Sequence, residues 1–397
     1  MSRKFYIIGA GMGAPDSLTG EAAHALAASD AVFATRRLTA VCDRAAVCPF
    51  DQLAAQAIAS DAPTVSVLVS GDVGFFSAAG RLRGQLAQHG AVQMVCGLSS
   101  MQYFCAKLGV SYDDACVRSL HGRVGSILGA VSYHKKTFVL TGGENTAPKV
   151  CRTLADAGLG DLTVHLGENL GAENERIQTG KAETLANQTC GNLAVLLIEH
   201  PDAANAYEPV RDDMLTRAKV PMTKEEVRWV SVSRLAVQPR NTVWDVGAGT
   251  GAVTLELARK ASDGLVYAVE RKPEAVALLH ENRAKLGGYN VQIVEGAAPD
   301  ALEALPAPDC VFVGGSGGAM RRILEIAKHK NPAVRVVVNA IALETLHETQ
   351  ATLAALGFAD IEVAQLSAAR GKAVGPYTMM TANNPVFILS GGGADAE

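Results

Sequence analysis

The sequence predicts an α/β fold arranged as two successive domains, and three observations carry that expectation. The chain has 397 residues; at about 150 residues per domain, that is too long for a single small core. Short apolar runs of strand type alternate with alanine-rich helical stretches, the pattern of layered α/β folds with much parallel sheet. The alternation is interrupted once, by the polar, two-proline segment 200–211 (HPDAANAYEPVR), and then starts again.

In the first series the strand-like runs are Phe5–Ile8, Val65–Val69, Val92–Cys96, Thr137–Leu140, Thr163–Leu166 and Leu193–Ile198, with helical stretches such as Glu21–Ala28 and Leu53–Ala59 between them. The second series runs Thr242–Asp245, Leu265–Val269, Val291–Val294, Cys310–Val313, Val334–Val338 and Val386–Leu389. The expected division is a first domain at 1–200, a linker at 201–219 and a second domain at 220–390. A Gly-rich, acidic tail at 391–397 is expected to be disordered.

Apolar residues make up 48% of the chain and charged residues 19%, which excludes global disorder. A net charge of −4 offers no basic excess to track a nucleic-acid backbone. No run approaches the roughly 18 continuous apolar residues of a membrane helix. Arg3 and Lys4 precede a short apolar run, but Gly9, Gly11, Gly13 and Asp16 break it too early for a signal peptide. The eight cysteines form no C-x-x-C pair, and no histidine sits at zinc-ligand spacing. They read as buried small hydrophobes in a reducing cytoplasm, with no metal.

The second domain opens with TVWDVGAGTG at 242–251, running into AVTLELARK. An apolar strand ends at Asp245, and Gly247, Ala248, Gly249, Thr250 and Gly251 form a tight turn before a helix. Glycines let the chain turn sharply and let a ligand lie against bare backbone, at the strand end where open α/β sheets place ligands. The next strand ends at Glu270, followed by Arg271 and Lys272; a carboxylate there can accept hydrogen bonds from both ribose hydroxyls. The third strand ends at Glu295–Gly296–Ala297–Ala298, where small residues leave room for a flat adenine. The fourth opens into Gly314, Gly315, Ser316, Gly317 and Gly318, a loop facing the reactive end of the cofactor. Dinucleotide binding is the rival reading. Its usual pattern is G-x-G-x-x-G, whereas the closer spacing here suits the carboxylate and amine of a methionine better than a pyrophosphate.

PMTKEEVRW at 221–229, WDVGAGTGAVTLELA at 244–258, VYAVE at 266–270, VEGAAPDAL at 294–302, FVGGSGG at 312–318 and VVNAIALET at 337–345 resemble the decarboxylating precorrin methyltransferase family across nearly all of 220–390. The resemblance implies a class I Rossmann-like methyltransferase fold that binds S-adenosylmethionine through Thr223, the Gly247–Gly251 turn, Glu270 and Ala298.

The first domain begins FYIIGAGMGAPDSLT, whose glycines read equally well as a nucleotide loop or a plain strand–helix turn. Further on come VLVSGDVGFFS at 67–77, CGLSSMQYFCAKLG at 96–109, FVLTGGENTAPKV at 138–150 and HLGENLGAENERI at 165–177. Together these resemble the tetrapyrrole methylase family, in its precorrin C5-methylating branch, over about 1–200. Met12, Ala14 and Val73 depart from the family pattern, and the glycines and Asp72 keep to it. The resemblance implies two α/β lobes with S-adenosylmethionine held in the cleft between them. Gly11, Gly71, Asp72, Val73, Ser99, Ser100, Leu140 and Thr141 are the implied contacts; Asp72 has the alternative of capping the turn after its strand.

The two resemblances together imply methylation of a reduced tetrapyrrole at C5 by the first domain. The second would methylate C15 and release carbon dioxide from the acetate on C12. Two cofactor molecules per chain and self-association are implied as well. The substrate's carboxylates need cations. Arg321 and Arg322 at a helix start, and Arg370 with Lys372 in SAARGKAVGPY, are the second-domain candidates. Arg36, Arg37, Arg118 and Arg123 are those of the first domain. Glu344 is a candidate acid–base group beside the decarboxylating acetate. A methyltransferase for another anionic small molecule, or a first domain reduced to a binding or assembly module, stays open on the residues alone.

Overall fold

The computed structural model of the chain describes residues 3–122 and 125–392. They fall into two compact units, Met1–Arg123 with Lys136–Glu199, and Val124–Lys135 with His200–Glu397.

The first unit holds two five-stranded sheets. Strands β1 (Lys4–Gly9), β2 (Ala31–Ala34), β3 (Ala46–Val47), β4 (Thr64–Val69) and β5 (Ala91–Val95) pair in parallel in the order β3-β2-β4-β1-β5. Buried side chains of β1 and β4, among them Phe5, Ile7, Val65 and Val67, are covered by helices on both faces, which is why these strands read as continuous apolar runs. The second sheet contains β6 (Cys116–Ser119), β7 (Lys136–Leu140), β8 (Thr163–Glu168), β9 (Arg176–Lys181) and β10 (Ala194–Glu199), in the order β6-β7-β10-β8-β9. It is mixed: β10 runs antiparallel to both its neighbours.

The second unit holds one seven-stranded sheet. Its strands β11 (Thr242–Val246), β12 (Leu265–Glu270), β13 (Val291–Glu295), β14 (Cys310–Val313), β15 (Arg335–Ala340), β16 (Glu362–Leu366) and the C-terminal strand Val386–Gly392 lie in the order β13-β12-β11-β14-β15-C-terminal-β16. The first five are parallel, and the last two pair antiparallel. Strand order reverses beside β11, so a crevice opens at the carboxyl ends of β11 and β14. Trp244, Val246, Val311 and Val313 fill one face of the sheet and Val243, Ala268 and Phe312 the other.

Every strand-like run named from the sequence overlaps a strand. Three features differ from the expectation. Gly391 and Gly392 belong to the C-terminal strand, pairing with Val336 and Arg335, rather than to a tail; 393–397 lie outside the described residues. The segment 201–219 is no free linker, because Val210 and Leu215 are buried against Ala252, Leu255 and Leu286 of the second unit. The Gly-rich stretch SAARGKAVGPY, which carries no strand-like run in the sequence, forms most of a β-hairpin, β17 (Ala369–Val374) and β18 (Tyr377–Ala382), closed by a two-residue turn with Gly375 at φ +59°.

A helix from the first half of the sequence, Leu128–Tyr133, is a fully buried part of the second unit. Ser132 Oγ accepts the Tyr289 N–H at 3.0 Å, and Ser132 O accepts the Ala204 N–H at 2.9 Å. Gly129 packs so closely that a Cβ there would sit 2.0 Å from Ser262 O.

Candidate functional site

In the second unit the crevice widens into a cavity of about 590 Å³, within the size range of sites for drug-sized ligands. The turn after β11 forms its floor. Gly247 and Ala248 donate N–H bonds to Val269 O, which ties the turn to the end of β12. Gly247 has φ +76°, and a Cβ there would lie 2.8 Å from Gly315 O, so only glycine lets the loops after β11 and β14 touch backbone to backbone. Gly251 meets the same limit against Leu279 Cδ1, at 2.3 Å, and faces the helix rather than the cavity.

The structure brings Thr223, Asp245, Gly247, Ala248, Gly249, Thr250, Glu270, Ala297, Ala298, Gly314, Gly315, Ser316 and Gly317 together around one cavity. Glu270 is buried at the end of β12. Its Oε1 accepts from the Arg271 and Lys272 amides at 2.8 and 2.9 Å, and its Oε2 from the Gly249 amide at 2.9 Å. A carboxylate offers about four acceptor positions, so room remains for one ribose hydroxyl beside these amides, fewer than the pair expected. Asp245 is completely buried. Oδ2 accepts from Thr254 Oγ1, and Oδ1 has no partner among the described residues. Burial, and secondarily the Glu270 carboxylate, push its pKa up to about 7. Thr223 is held from behind: its carbonyl accepts from Arg228 Nη1 at 2.7 Å, and Arg228 is buried and paired with Asp212 at 3.3 Å.

The expected cation sites of this unit lie outside that cavity lining. Arg321 and Arg322 are exposed on the helix Met320–Lys330 and outside the cavity lining. Arg321 pairs with Glu325 at 2.9 Å and Arg322 with Glu303 at 3.0 Å. Arg370 is enclosed by acids: Glu226 at 2.6 Å, Asp212 at 3.1 Å and Glu225 at 3.2 Å, and its bond to Glu226 above all raises its pKa. It ties the hairpin to the helix Glu225–Leu235. Lys372 is exposed on the hairpin. Glu344 is exposed in the first turn of the helix Leu343–Ala355, and neither it nor Gly318 lines the cavity. The lining includes Arg271, Lys272, Asn339 and Asn383, which sequence reasoning did not select. Asn339 stands near the carboxyl end of β15, and that position was the available signal.

The first unit has its own cavity, of about 260 Å³, lined by Gly71, Ser100, Leu140 and Thr141 of the expected set. Three loops meet beneath it. A Cβ on Gly9 would lie 2.6 Å from Gly97 N, and one on Gly97 2.4 Å from Gly71 O, so the carboxyl ends of β1, β4 and β5 touch through bare backbone. The other expected contacts serve the scaffold. Gly11 forms a backbone bridge with Gly71. Asp72 accepts from the Gly74 amide at 2.7 Å and the Gly97 amide at 3.0 Å, its turn-capping alternative. Val73 packs on the core, and Ser99 caps the helix Ser100–Leu108 in a capping box with Gln102. Of the four arginines, Arg36 and Arg37 are exposed and Arg37 lines the cavity; Arg118 donates to Val117 O, and Arg123 lies outside the described residues.

Both halves match family models. Residues 4–186 match Tetrapyrrole (Corrin/Porphyrin) Methylases, and residues 216–391 match a Precorrin methyltransferase domain. A probable cobalt-precorrin-6B C(15)-methyltransferase (decarboxylating) of Methanothermobacter thermautotrophicus is 41% identical over 181 residues, 45% of this chain and 93% of the relative. The crystal structure of a precorrin-6Y C5,15-methyltransferase from Geobacter metallireducens, 35% identical, covers 47% of this chain and 96% of its own, with a TM-score of 0.45. A precorrin-6Y C(5,15)-methyltransferase [decarboxylating] of Sinorhizobium is 30% identical over 305 residues, 75% of this chain and 73% of the relative. With both halves matched in the same order on one chain, the protein belongs to the decarboxylating precorrin-6Y C5,15-methyltransferase family of S-adenosylmethionine-dependent enzymes in cobalamin biosynthesis.

Proposed function

We propose that the two units divide the family's reaction. The first methylates C5 of a reduced precorrin-6 macrocycle; the second methylates C15 and releases carbon dioxide from the C12 acetate. The observation that carries this reading is the presence of two cavities, one per unit, each floored by glycine loops at the carboxyl ends of parallel strands. Each would hold one S-adenosylmethionine. The second cavity fits that group: Asp245 Oδ1 is an orphaned buried acceptor suited to an ammonium, and Gly315 leaves open space where any side chain would intrude.

S-adenosylmethionine supplies an electrophilic methyl group on a sulfonium. The chain's contribution is alignment, which is worth about 7–11 kcal/mol when the reacting atoms are well placed. Glu270 orients the ribose, the Gly247–Gly251 turn positions the methionine, and the Gly314–Gly317 loop borders the space left for the macrocycle. In decarboxylation the C–C bond to the carboxylate breaks, its electron pair passes into the conjugated macrocycle, and a proton taken up from solvent completes the methyl group left on C12.

Calorimetry with S-adenosylhomocysteine should count two sites per chain. Mass spectrometry after incubation with S-adenosylmethionine and reduced precorrin-6 should show two methyl groups gained and one carbon dioxide lost. A single site, abolished when 200–397 is deleted, would confine methyl transfer to the second unit.

Asp245 makes a pH prediction. Its folded pKa is raised, so the folded apo chain holds a proton that the unfolded chain releases. This contribution to stability is present at low pH and is lost between about pH 4 and 7. An ammonium beside Oδ1 favours the ionised form. Cofactor binding near pH 6 should therefore release a proton at this site, and affinity should rise toward pH 7–8. Calorimetry in buffers of different ionisation enthalpy reads the proton directly, and Asp245→Asn should abolish it. Wild-type binding without proton release would place the ammonium elsewhere.

The hairpin carries Val374, Tyr377, Met379 and Met380 in the open, outside any core of the described chain. We read it as a self-association surface between copies of this chain. No described helix is long and apolar enough to cross a membrane. The eight free cysteines suit a reducing cytoplasm.

A further inference from the structure

Arginine use in the first unit is uneven. Arg3 donates to carbonyls at the end of the helix Leu53–Ala59, Arg44 to Leu26 and Ser29 carbonyls, Arg152 to the Ala186 carbonyl, and Arg176 pairs with Glu168. Arg37, like Arg36 and Arg83, makes no hydrogen bond or ion pair with any described residue; it is exposed, and it is the one described arginine of this unit that lines the 260 Å³ cavity. Among the described lining residues, Arg37 and His121 are the only ionisable side chains, and no carboxylate lines the cavity to repel an entering anion.

The mount is rigid. Arg37 sits in the short 3-10 turn Arg36–Val41 that follows β2. Leu38 is 1% exposed in the core, its amide bonds to Thr35 O at 2.9 Å, and Thr39 Oγ1 donates to Arg36 O at 2.9 Å. The glycine loop after β1 packs on this turn: a Cβ on Gly13 would lie 3.4 Å from Leu38 Cδ2 and 3.5 Å from Arg37 O.

Phe76 lines the same cavity, 46% exposed, with its backbone at φ +49°. A non-glycine residue held there is strained, and such strain persists where the surroundings over-determine it, commonly at ligand clamps. Phe75 packs edge-on beneath it, ring centroids 5.2 Å apart at 86°, and leans on Phe138 at 6.2 Å. An aromatic ring and a guanidinium lining one cavity suit a flat ring system with carboxylates on its rim.

We propose that Arg37 holds a side-chain carboxylate of the macrocycle in the first unit's cavity, and that Phe76 braces the ring against it, so that the pair orients the carbon to be methylated. This deepens the reading that the first unit is the C5-methylating site and rests on it. The guanidinium fork accepts a carboxylate through two parallel N–H bonds, so losing it should raise KM for the tetrapyrrole more than it lowers kcat.

The test uses the full-length chain with reduced precorrin-6 and S-adenosylmethionine, followed by mass spectrometry. Arg37→Ala should raise the C5-step KM about ten- to hundredfold. C15 methylation and carbon dioxide loss should keep wild-type rates, and two S-adenosylhomocysteine molecules should still bind. Arg37→Lys should recover part of the loss, keeping the charge without the fork. An unchanged C5 KM in Arg37→Ala, or loss of a cofactor site, would overturn the proposal. A wild-type chain that never methylates C5 would instead refute the division of labour. Titration of wild type and Arg37→Ala with the same tetrapyrrole then still decides the anion site: loss of one binding event supports it, and identical isotherms reject it.

Discussion

Glu270→Ala is expected to weaken cofactor binding in the second unit by well over tenfold while leaving the first unit's site intact. Glu270 does two jobs there. On the proposed reading it offers an acceptor to a ribose hydroxyl, and it gathers three backbone amides, those of Gly249, Arg271 and Lys272. Hydrogen bonds to charged groups contribute about 1.5–3 kcal/mol each, so the lost ribose contact alone accounts for a factor of ten or more. Releasing the Gly249 amide adds a second cost, because the turn loses one of its three ties to the end of β12, keeping those of Gly247 and Ala248 to Val269 O. Thermal unfolding should fall as well, since buried amides lose their acceptor. Glu270→Gln keeps the shape and one carbonyl acceptor but turns an NH2 toward amide donors, so its affinity should lie between wild type and alanine. Calorimetry that finds an unchanged second site in Glu270→Ala would remove the ribose assignment.

Residues 200–397 expressed alone should methylate C15 and release carbon dioxide, and the fragment 211–397 should be markedly less stable. The difference lies in Val210. Its amide donates to Glu256 Oε1 at 2.8 Å, and its carbonyl accepts from Arg228 Nη2. Cutting at 211 strips a partner from each of two buried charged groups, at about 1–3 kcal/mol apiece. Arg228 also holds the Thr223 carbonyl, so the shorter fragment should bind the cofactor less tightly too. Both fragments lack the helix Leu128–Tyr133, and both should melt below the intact chain because its bed on the helix Ala252–Lys260 is uncovered. Product masses from the longer fragment should show one methyl group gained and one carbon dioxide lost. Decarboxylation that requires residues 1–123 or 136–199, or that proceeds without methylation, would place the chemistry on the wrong unit.

What the sequence determined by itself is the parallel framework and the floors of both cavities. Buried strands between helices must be apolar along their whole length, so β1, β4, β11 and β14 announce themselves as runs. Turns at positive φ or in backbone contact must be glycine, so Gly71, Gly97, Gly247 and Gly249 mark the loops that meet at the strand ends. Glu270 was legible for the same local reason: an acid directly after an apolar strand, with the glycine turn one crossover earlier. The polar edge strand β16 and the exposed hairpin β17–β18 carry no such run, because neither buries a continuous face.

Only the tertiary structure decided which charged side chains are free to meet a ligand. An arginine is a cation in any sequence, and its partners come from elsewhere in the chain. Arg370 reads as a substrate contact until Glu226, 144 residues away, closes on it, and Arg322 until Glu303 does. Arg37 reads like Arg36 beside it, and only the folded chain shows that Arg37 lines the cavity and Arg36 does not. The helix Leu128–Tyr133 lies within the first series of strands, yet its apolar surface is buried in the second unit. Local pattern sets what a segment can bury or bind. Packing between segments distant in sequence sets what it actually meets, because the desolvation and pairing of a charge depend on neighbours that no local window contains.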